Sequence, residues 1–434
     1  MSPVVIAVVL MLVLLFLKVP VWMSVIAGTA SYFFLNPAVS SMILAQRLAS
    51  SVQGLTLLAV PFFVCAGIFM NASGVSKRIM DLCDLLTGHM WGGLAQVNVL
   101  LSTLMGGLSG SNLAYAAMEA KLLVPPMEAK GMSKGFSSVV TSASAMITPI
   151  IPPGIAMILC GSLANVSIGK LFVSGIGVGI LLCAGEMICV SVISHKRGYK
   201  PTRAKGEKLP QGEAWHIIRA SILPMCLPVV IIGGVRLGAF TATEAGAVAV
   251  VYSVFLGLLY RELDMKKIIQ GLKETVLSTA GIMLIIGAAS ALSWVLTKER
   301  IPQTLTEMML QISPNKYVFL ILMNIFLLIC GMFLEGNAIM IILVPLLFPI
   351  AMQYGINEVQ FLMVIIFNVS IGCMTPPMGT LMFVVCNETG CKLKEFIKES
   401  VPFFIVLIAE LLMLTCGTKE TVVVNIYGKF DLKQ

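Results

Sequence analysis

Long apolar runs are the feature that most limits how this chain can fold. Residues 4–17, 171–192 and 318–332 approach or reach the roughly 20 apolar residues that cross a bilayer core. Only 12% of all residues are charged, about half of the roughly 25% found in soluble domains. Backbone groups in lipid must bond within their own segment, and no alternating strand pattern occurs, so the runs predict helices. We expect an all-α polytopic membrane protein.

Basic residues in one loop set the expected orientation of the chain. Residues 195–208 contain six Lys and Arg residues and one acidic residue, Glu207. Such a loop beside an apolar run stays in the cytoplasm, so residues 137–163 run outward, residues 170–194 run inward, and the N-terminus lies outside. The clustering argues against a nucleic-acid partner, despite a net charge of +8. The first run lacks a preceding positive charge and a cleavage site, so we expect an uncleaved span.

Polar residues interrupt two apolar stretches in which an ordinary span would continue. Residues 93–127 contain the Gly- and Ser-rich segment 106–112, and residues 318–353 contain Glu335-Gly336-Asn337. Each stretch is either two full crossings, with its polar tip at the opposite surface, or a re-entrant helical hairpin with its tip near mid-membrane. The charges that flank the two stretches fit both arrangements.

Proline breaks the apolar run that follows each of these stretches. Residues 137–163 have prolines at 149, 152 and 153, and residues 359–388 contain Thr375-Pro376-Pro377. Proline removes a backbone donor and clashes with the preceding turn, so a helix kinks or unwinds there. Unwound backbone at membrane depth is tolerated only where it is buried in protein or lines a cavity. We therefore predict two broken helices beside a cavity.

The two halves of the chain are related by a repeat. The two double prolines lie 224 positions apart, and the same shift pairs Gly131 with Gly355 and Lys170 with Lys394. In the expected orientation the first broken helix runs outward and the second runs inward, so the repeats are inverted. Inverted repeats with matching broken helices are typical of alternating-access transporters, which bind substrate at the repeat interface.

Broken helices suggest what this site binds. Their free N–H ends suit a carboxylate, and their free carbonyl ends suit Na⁺. We expect each polar tip to face its break and form a cation site; the alternative is that small residues there only allow close helix packing. A carboxylate at membrane depth usually marks an ion path, although Glu335 could also cap a helix. Glu244, which follows Thr241, is expected to cap a helix start. The predicted sodium ligands are Ser109, Gly110, Ser111, Asn112, Thr148, Ile151, Glu335, Gly336, Asn337, Gly372 and Thr375, and the predicted substrate contacts are Ser111, Asn112, Thr148, Gly154, Asn337, Thr375 and Thr380.

Enzyme and transition-metal chemistry are weaker interpretations of this sequence. Residues 107–110 match the G-x-S-G motif of rhomboid-type intramembrane proteases, whose serine needs a nearby base. None of His89, His195 and His216 lies in the middle of an apolar run. The eleven cysteines include no C-x-x-C pair, and no H-E-x-x-H motif occurs, so no zinc or redox site is indicated. We expect no enzyme and no cofactor, with Na⁺ as the coupling ion.

A series of short motifs connects the chain with a known family. They are Leu58-Ala59-Val60-Pro61-Phe62-Phe63, Gly92-Gly93-Leu94-Ala95, Leu108-Ser109-Gly110-Ser111, Thr148-Pro149-Ile150-Ile151-Pro152-Pro153, Gly233-Gly234, Gly238-Ala239-Phe240-Thr241-Ala242-Thr243-Glu244-Ala245 and Thr375-Pro376-Pro377. In this order and spacing, and over nearly its whole length, the chain resembles the large (DctM-like) membrane subunit of the tripartite ATP-independent periplasmic (TRAP) transporters.

The resemblance implies a sodium-coupled importer of the bacterial inner membrane that uses an elevator motion. A transport domain of two re-entrant hairpins and two broken helices would slide against a scaffold. A periplasmic solute-binding protein would deliver the substrate, and a small four-helix membrane subunit would complete the scaffold, both as separate polypeptides. The family's substrates are small organic acids: dicarboxylates, sialic acid, sugar acids and keto acids. The alternative is a divalent-anion/sodium symporter, which shares paired hairpins and needs no binding protein.

The resemblance and the repeat together divide the chain into five parts. These are N-terminal scaffold helices at 1–75, a first transport repeat at 76–169, scaffold helices at 170–297, a second transport repeat at 298–399, and a C-terminal helix and tail at 400–434.

Four positions around the expected site depart from the family's usual pattern. The chain has Tyr115 where Asp is frequent, Thr148 where Gly is usual, Gly154 where Ser is usual, and Glu335 where the second tip often begins with Asp. These changes bear on the identity of the substrate and leave the architecture untouched.

Overall fold

A computed structural model of the chain describes residues 2–17, 19–108, 111–203, 212–312 and 315–417. Over these ranges the chain folds into nineteen α-helices, which confirms the all-α prediction. The helices are α1 Pro3–Phe16, α2 Val21–Leu35, α3 Met42–Ser50, α4 Ala59–Ala72, α5 Val75–Thr87, α6 Gly93–Met105, α7 Asn112–Ala129, α8 Lys134–Ala145, α9 Ile155–Ala164, α10 Ile168–Arg197, α11 Glu213–Arg236, α12 Ala242–Leu259, α13 Met265–Lys298, α14 Ile301–Ile312, α15 Lys316–Phe333, α16 Gly336–Gln353, α17 Glu358–Met374, α18 Thr380–Thr389 and α19 Leu393–Cys416.

Eight helical stretches of the described chain are long and apolar enough to cross a membrane. They are α10, α11, α12, α13, α15, α16, α19 and the stretch Leu55–Ala72 that contains α4. Many of their large apolar side chains are exposed, for example Val229 and Val251 at 68% and 71%. Exposure of this extent on apolar helices is expected when lipid is the solvent.

A side-chain cap sets the start of α12 where the sequence predicts it. The Thr241 hydroxyl accepts a hydrogen bond from the Glu244 backbone N–H at 3.2 Å, and the Glu244 carboxylate accepts one from the Thr241 backbone N–H at 2.7 Å. This reciprocal pair is a capping box, which satisfies two orphan donors of the first turn. The predicted capping role of Glu244 is confirmed.

The helix boundaries show the same repeat as the sequence. Helices α7 and α16 begin at Asn112 and Gly336, and α8 and α17 begin at Lys134 and Glu358. Both pairs of residues are 224 positions apart. Packing follows the same relation, since α7 packs against α18 and α16 packs against α9.

The repeat-equivalent helices α10 and α19 lie side by side and antiparallel. The guanidinium of Arg197 is 2.7 Å from the Glu399 carboxylate, and further along the two helices the backbone at Gly185 lies against the Glu410 side chain. Residue numbers therefore rise along one helix as they fall along the other. This is the relation that inverted repeats give to equivalent helices.

Within each repeat, buried polar contacts join two helices, and the two repeats do this in the same way. Asn98 on α6 donates to the Thr141 hydroxyl of α8 at 2.7 Å and accepts from the Ser144 hydroxyl at 2.9 Å. In the second repeat, the Asn368 amide of α17 donates to the Asn324 side chain of α15 at 2.8 Å. Ser144 and Asn368 are 224 positions apart. Each repeat thus joins the helix before its tip to the helix before its break.

A second group of helices packs beside the repeats. Helix α12 lies along α4, α13 lies along α2 and α4, and α11 lies along α5. The repeats contact this group where α9 meets α4 and where α16 meets α13. These contacts place the helices that leave the first break and the second tip next to the second group.

Several expected boundaries differ from the helix ends. Helix α10 continues to Arg197, so the first residues of the expected loop at 195–208 are its last turn, and residues 204–208 lie outside the described ranges. Helices α10 and α19 begin at Ile168 and Leu393, so the expected boundaries at 170 and 400 fall inside helices. Charged residues lower the hydropathy of a segment, but a helix tolerates them at its ends, where basic residues favour the last turn.

The contact between Asn324 and Asn368 gives a prediction about stability. Asn324→Ala should destabilise the protein by about 1–3 kcal/mol, because the buried Asn368 amide loses the Asn324 side chain and keeps only the Asn324 backbone carbonyl, at 3.1 Å. Thermal unfolding of the purified protein in detergent measures this loss. In a double-mutant cycle with Asn368→Ala, the two losses should be strongly non-additive. Additive losses would show that the two amides are not coupled.

Candidate cation and substrate site

The two polar tips place helix N-termini side by side in the interior. Helix α7 begins at Asn112, and the preceding Ser111 caps it by accepting a hydrogen bond from the Ala114 backbone N–H at 3.4 Å. Helix α16 begins at Gly336, and the carboxylate of the preceding Glu335 accepts a hydrogen bond from the Asn337 side chain at 3.0 Å. The first N–H groups of each helix have no intrahelical partner and carry partial positive charge.

The prolines interrupt the two following helices as expected. Helix α8 ends at Ala145 and α9 begins at Ile155; helix α17 ends at Met374 and α18 begins at Thr380. A threonine hydroxyl closes each last turn: Thr148 donates to the Ala145 carbonyl at 2.9 Å, and Thr375 donates to the Ile371 carbonyl at 2.7 Å. The Pro152-Pro153 and Pro376-Pro377 bonds are both cis.

The first tip touches its break at backbone distance, and α15 touches α17 in the same way. A Cβ placed on Gly106 would lie 2.7 Å from the Thr148 Cα, and one placed on Gly372 would lie 2.6 Å from the Gly331 Cα. Real Cβ contacts essentially never fall below 3.0 Å, so these approaches require glycine. Thr148 and Gly372 are equivalent by the shift of 224. The first tip therefore meets its break at the backbone. In the second repeat Gly331 belongs to α15, and the tip itself approaches the end of α17 at Gly336, where a Cβ would lie 3.6 Å from the Cys373 Sγ.

Both tips, the first break and the last turns of α17 meet at one cavity. Its volume is about 30 Å³, and none of the described residues that line it is charged. Polar groups converge on it from four elements: Ser111 and Asn112 from the first tip, Thr148 from the first break, Asn337 from the second tip, and Ser370 from α17. The remaining lining residues are Gly106, Pro149, Gly154, Ile155, Ala156, Gly336, Met340, Val369 and Cys373.

The structure brings some of the predicted residues to the cavity and leaves others beside it. Those that line it are Ser111, Asn112, Thr148, Gly154, Gly336 and Asn337. Predicted residues that lie outside the cavity lining are Ile151, Glu335, Gly372, Thr375 and Thr380.

For three of the residues outside the lining, the structure shows which neighbour the residue contacts instead of the cavity. The Ile151 side chain points at Gly179 of α10, while its carbonyl faces Gly107. Gly372 is buried against Gly331, and Glu335 is joined to Asn337. Ser109 and Gly110 lie outside the described residues.

Sequence reasoning missed Ser370 and Cys373. Both lie on α17 before the break and line the cavity. The Ser370 hydroxyl donates to the Ile366 carbonyl at 2.7 Å, which leaves its oxygen lone pairs available to a ligand. The available signal was a hydroxyl residue within one turn of a proline break, which is the position that Thr148 and Thr375 also occupy.

Sequence reasoning also missed a buried network behind the first tip. The Ser102 hydroxyl lies 2.9 Å from both oxygens of the fully buried Glu119 carboxylate. Glu119 lies on α7, two turns past the tip, and faces α6. The network joins the two helices that flank the tip, so it supports the tip from within the repeat.

Comparisons with known proteins agree on one family. The family model described as "Tripartite ATP-independent periplasmic transporter, DctM component" matches residues 8–419. The sialic acid TRAP transporter large permease protein SiaM of Vibrio cholerae is 37% identical over 399 residues, which cover 91% of this chain and 92% of that one. The C4-dicarboxylate TRAP transporter large permease protein DctM of Pseudomonas aeruginosa is 35% identical over 375 residues, 86% of each chain.

A solved transporter structure shares the fold. The crystal structure of the Alcanivorax borkumensis YdaH transporter matches with a TM-score of 0.58 and 14% identity, over 85% of this chain and 86% of that one. At this identity the likeness concerns the fold alone. It shows that the helical arrangement is one found in a membrane transporter.

The close approach at Gly372 gives a prediction about the site. Gly372→Ala should destabilise the protein by about 1–3 kcal/mol, because the added methyl group has no room against α15. The matched control is Gly281→Ala on α13, where a Cβ meets no atom within 4 Å; there, helix propensity predicts a gain of up to about 1 kcal/mol. Thermal unfolding of both variants measures the difference. Equal effects would show that α15 and α17 do not need this contact.

Proposed function

The chain belongs to the DctM component family of tripartite ATP-independent periplasmic transporters, and we propose that it imports small organic acids together with Na⁺. It is a large permease subunit of the bacterial inner membrane and not an enzyme. The observation that carries the proposal is a cavity lined by both polar tips, by the first helix break and by the last turns of α17 before the second break. That is the geometry of a site at the interface of two repeats.

Oxygen atoms for Na⁺ come from the two breaks. The helical donor for the Thr148 carbonyl would be the backbone nitrogen of residue 152, and for the Gly372 carbonyl that of residue 376. Both of these residues are prolines without an N–H group. The Gly372 carbonyl accepts a bond from the Thr375 backbone N–H at 2.9 Å instead and keeps a second lone pair. Carbonyl ends of unwound helices coordinate Na⁺ in transporters, and the Thr148 hydroxyl oxygen keeps lone pairs that can join them. The repeat then supports two sites with different ligands, one at each tip and break.

A carboxylate is the substrate group that suits the rest of the cavity. The N-termini of α7 and α16 point partial positive charge at it, and the Asn112 and Asn337 amides can donate hydrogen bonds. Without a charged side chain in the described lining, binding would rely on helix dipoles, amides and bound Na⁺. The names of the two relatives specify sialic acid and C4-dicarboxylates, and both are organic acids. We therefore assign this chain to the same chemical class of substrate.

An elevator motion is the transport step that we propose. A cleft of about 490 Å³ separates α3 and α13 from α9 and α16, and Arg47 lines it. The cleft follows the boundary between the repeats and the second group of helices, where sliding would occur. A positive side chain there would favour the approach of an anionic substrate.

The word tripartite in the family description implies two further components. We propose that these are a periplasmic solute-binding protein, which delivers the acid, and a small four-helix membrane subunit, which packs on the second group of helices. The exposed apolar faces of α11 and α12 offer area for such a contact.

Transport in vesicles tests the proposal directly. The chain and a small membrane subunit are reconstituted with a binding protein loaded with sialic acid or a C4-dicarboxylate. We expect saturable uptake that requires an inward Na⁺ gradient and the binding protein. Uptake that persists when K⁺ replaces Na⁺ would reject sodium coupling. Uptake without the binding protein would favour the alternative symporter that needs none.

A threonine substitution tests the sodium site. Thr148→Val removes one candidate ligand while keeping the side-chain shape, and it should raise the Na⁺ concentration for half-maximal stabilisation roughly tenfold, equivalent to about 1.4 kcal/mol. The measurement is melting temperature against Na⁺ concentration at constant ionic strength. The matched control is Thr29→Val, since Thr29 is buried on α2 with a similar bond to the Val25 carbonyl at 2.7 Å. An identical sodium response in both variants would remove Thr148 from the site.

A further inference from the structure

Two buried carboxyl groups lie apart from the cavity. Glu186 on α10 and Glu410 on α19 are 1% and 5% exposed. All four of their carboxyl oxygens are buried, and within the described part of the chain none of them forms a hydrogen bond or an ion pair. Burying a polar group without a hydrogen-bond partner costs folding free energy. A ligand that binds the pair would remove this cost.

The Glu410 carboxyl reaches the backbone of α10 beside Glu186. A carboxyl oxygen of Glu410 occupies the space that a side chain at position 185 would fill, so it rests on the α10 backbone next to Glu186. The two groups also interact electrostatically. Gly185 is what allows this approach, because any side chain there would displace the Glu410 carboxyl.

The pair lies near mid-membrane. Arg197 follows Glu186 by 11 residues, Glu410 follows Glu399 by 11 residues, and Arg197 is paired with Glu399 at 2.7 Å. At 1.5 Å rise per residue the pair is about 16 Å from that ion pair. The expected orientation puts the ion pair at the cytoplasmic end of α10, so the carboxyls lie about halfway across a core of about 30 Å.

The repeat explains why these two residues meet. Glu186 and Glu410 are 224 positions apart, the same shift that relates the double prolines. The axis that relates inverted repeats lies in the membrane plane. Equivalent residues meet only where that axis passes, and α10 and α19 are equivalent helices in antiparallel contact. The two carboxyls therefore sit on the pseudo-two-fold axis.

Two ionised carboxylates without a cation would repel each other strongly in this environment. The titratable groups with an electrostatic interaction to one or both of them are Glu119 on α7 and Cys183 and Cys189 on α10. None of these is a cation. No Lys, Arg or His of the described ranges pairs with either carboxyl from α6, α8, α9, α11, α15, α17 or α18.

We propose that Glu186 and Glu410 form a proton-binding site between the two repeats, distinct from the sodium sites. One hydrogen ion taken from water bonds to a carboxylate oxygen of one residue, and the resulting O–H donates to the carboxylate of the other. No other bond forms or breaks. The shared proton replaces repulsion with a charge-assisted hydrogen bond and holds α10 against α19.

Infrared spectroscopy of the purified protein tests this proposal without any transport assay. A protonated carboxyl has a carbonyl stretch that a carboxylate lacks, so the wild type at about pH 7 should show a band from the pair. The double variant Glu186→Gln/Glu410→Gln should lose that band, because two carboxamides can bond to each other without a proton. Each single variant should shift the band, since the remaining carboxyl has a new partner.

Two control variants separate the pair from other carboxyls. Glu119→Gln removes the other buried carboxyl that interacts with the pair and should leave the pair's band in place. Glu358→Gln changes a residue whose side chain is 42% exposed and should leave the carbonyl-stretch band of protonated carboxyls unchanged. If the double variant does not fold, the band shift in the two single variants tests the proposal instead.

Three results would overturn the proposal. The first is a wild-type spectrum without a band that the double variant loses. The second is a band that both single variants leave unchanged. The third is a band that forms only when K⁺ replaces Na⁺, which would place a sodium ion where we place the proton. Each result is independent of sodium-driven uptake, so the proposed function is tested separately.

Discussion

Every peptide group at membrane depth must find a partner inside the protein, and this requirement organises the whole structure. Helices meet it within each segment, which is why the described chain is helical almost throughout. The irregular segments at Gly106 and Thr148 are exceptions, and they are buried against each other. By gathering its irregular backbone around one cavity, the protein keeps free N–H and C=O groups away from lipid and directs them at a ligand.

The repeat supplies this arrangement twice, in opposite directions, but with different side chains. Thr148 in the first break corresponds to Gly372 in the second, and Ser111 at the first tip corresponds to Glu335 at the second. The first repeat therefore offers hydroxyl oxygens where the second offers close backbone contact and a carboxylate. Two cation sites built on this frame would share their position and differ in their ligands.

Helix α10 links this cavity to the two carboxyls on the pseudo-two-fold axis. Gly179 of α10 lies against Ile151 of the first break, and Glu186 follows seven residues later, about 10 Å along the helix. The two sites use different chemistry. The cavity presents neutral oxygens and amides, whereas Glu186 and Glu410 have no hydrogen-bond partner among the residues that the structure describes. A cation bound in one place therefore does not substitute for a cation bound in the other.

The sequence by itself determined the helical class, the two breaks, the repeat and the capping role of Glu244. Each follows from apolar length, from proline or from contacts within a few residues, so a local pattern contains it. Tertiary structure decided which side chains share the cavity: Thr148 and Asn337 reach it, Thr375 and Thr380 do not, and Ser370 does without having been expected. It also decided that the Glu410 carboxyl of α19 lies against the α10 backbone beside Glu186. Such pairings depend on how helices distant in sequence rotate and pack, which is set by many weak contacts together and by no single motif.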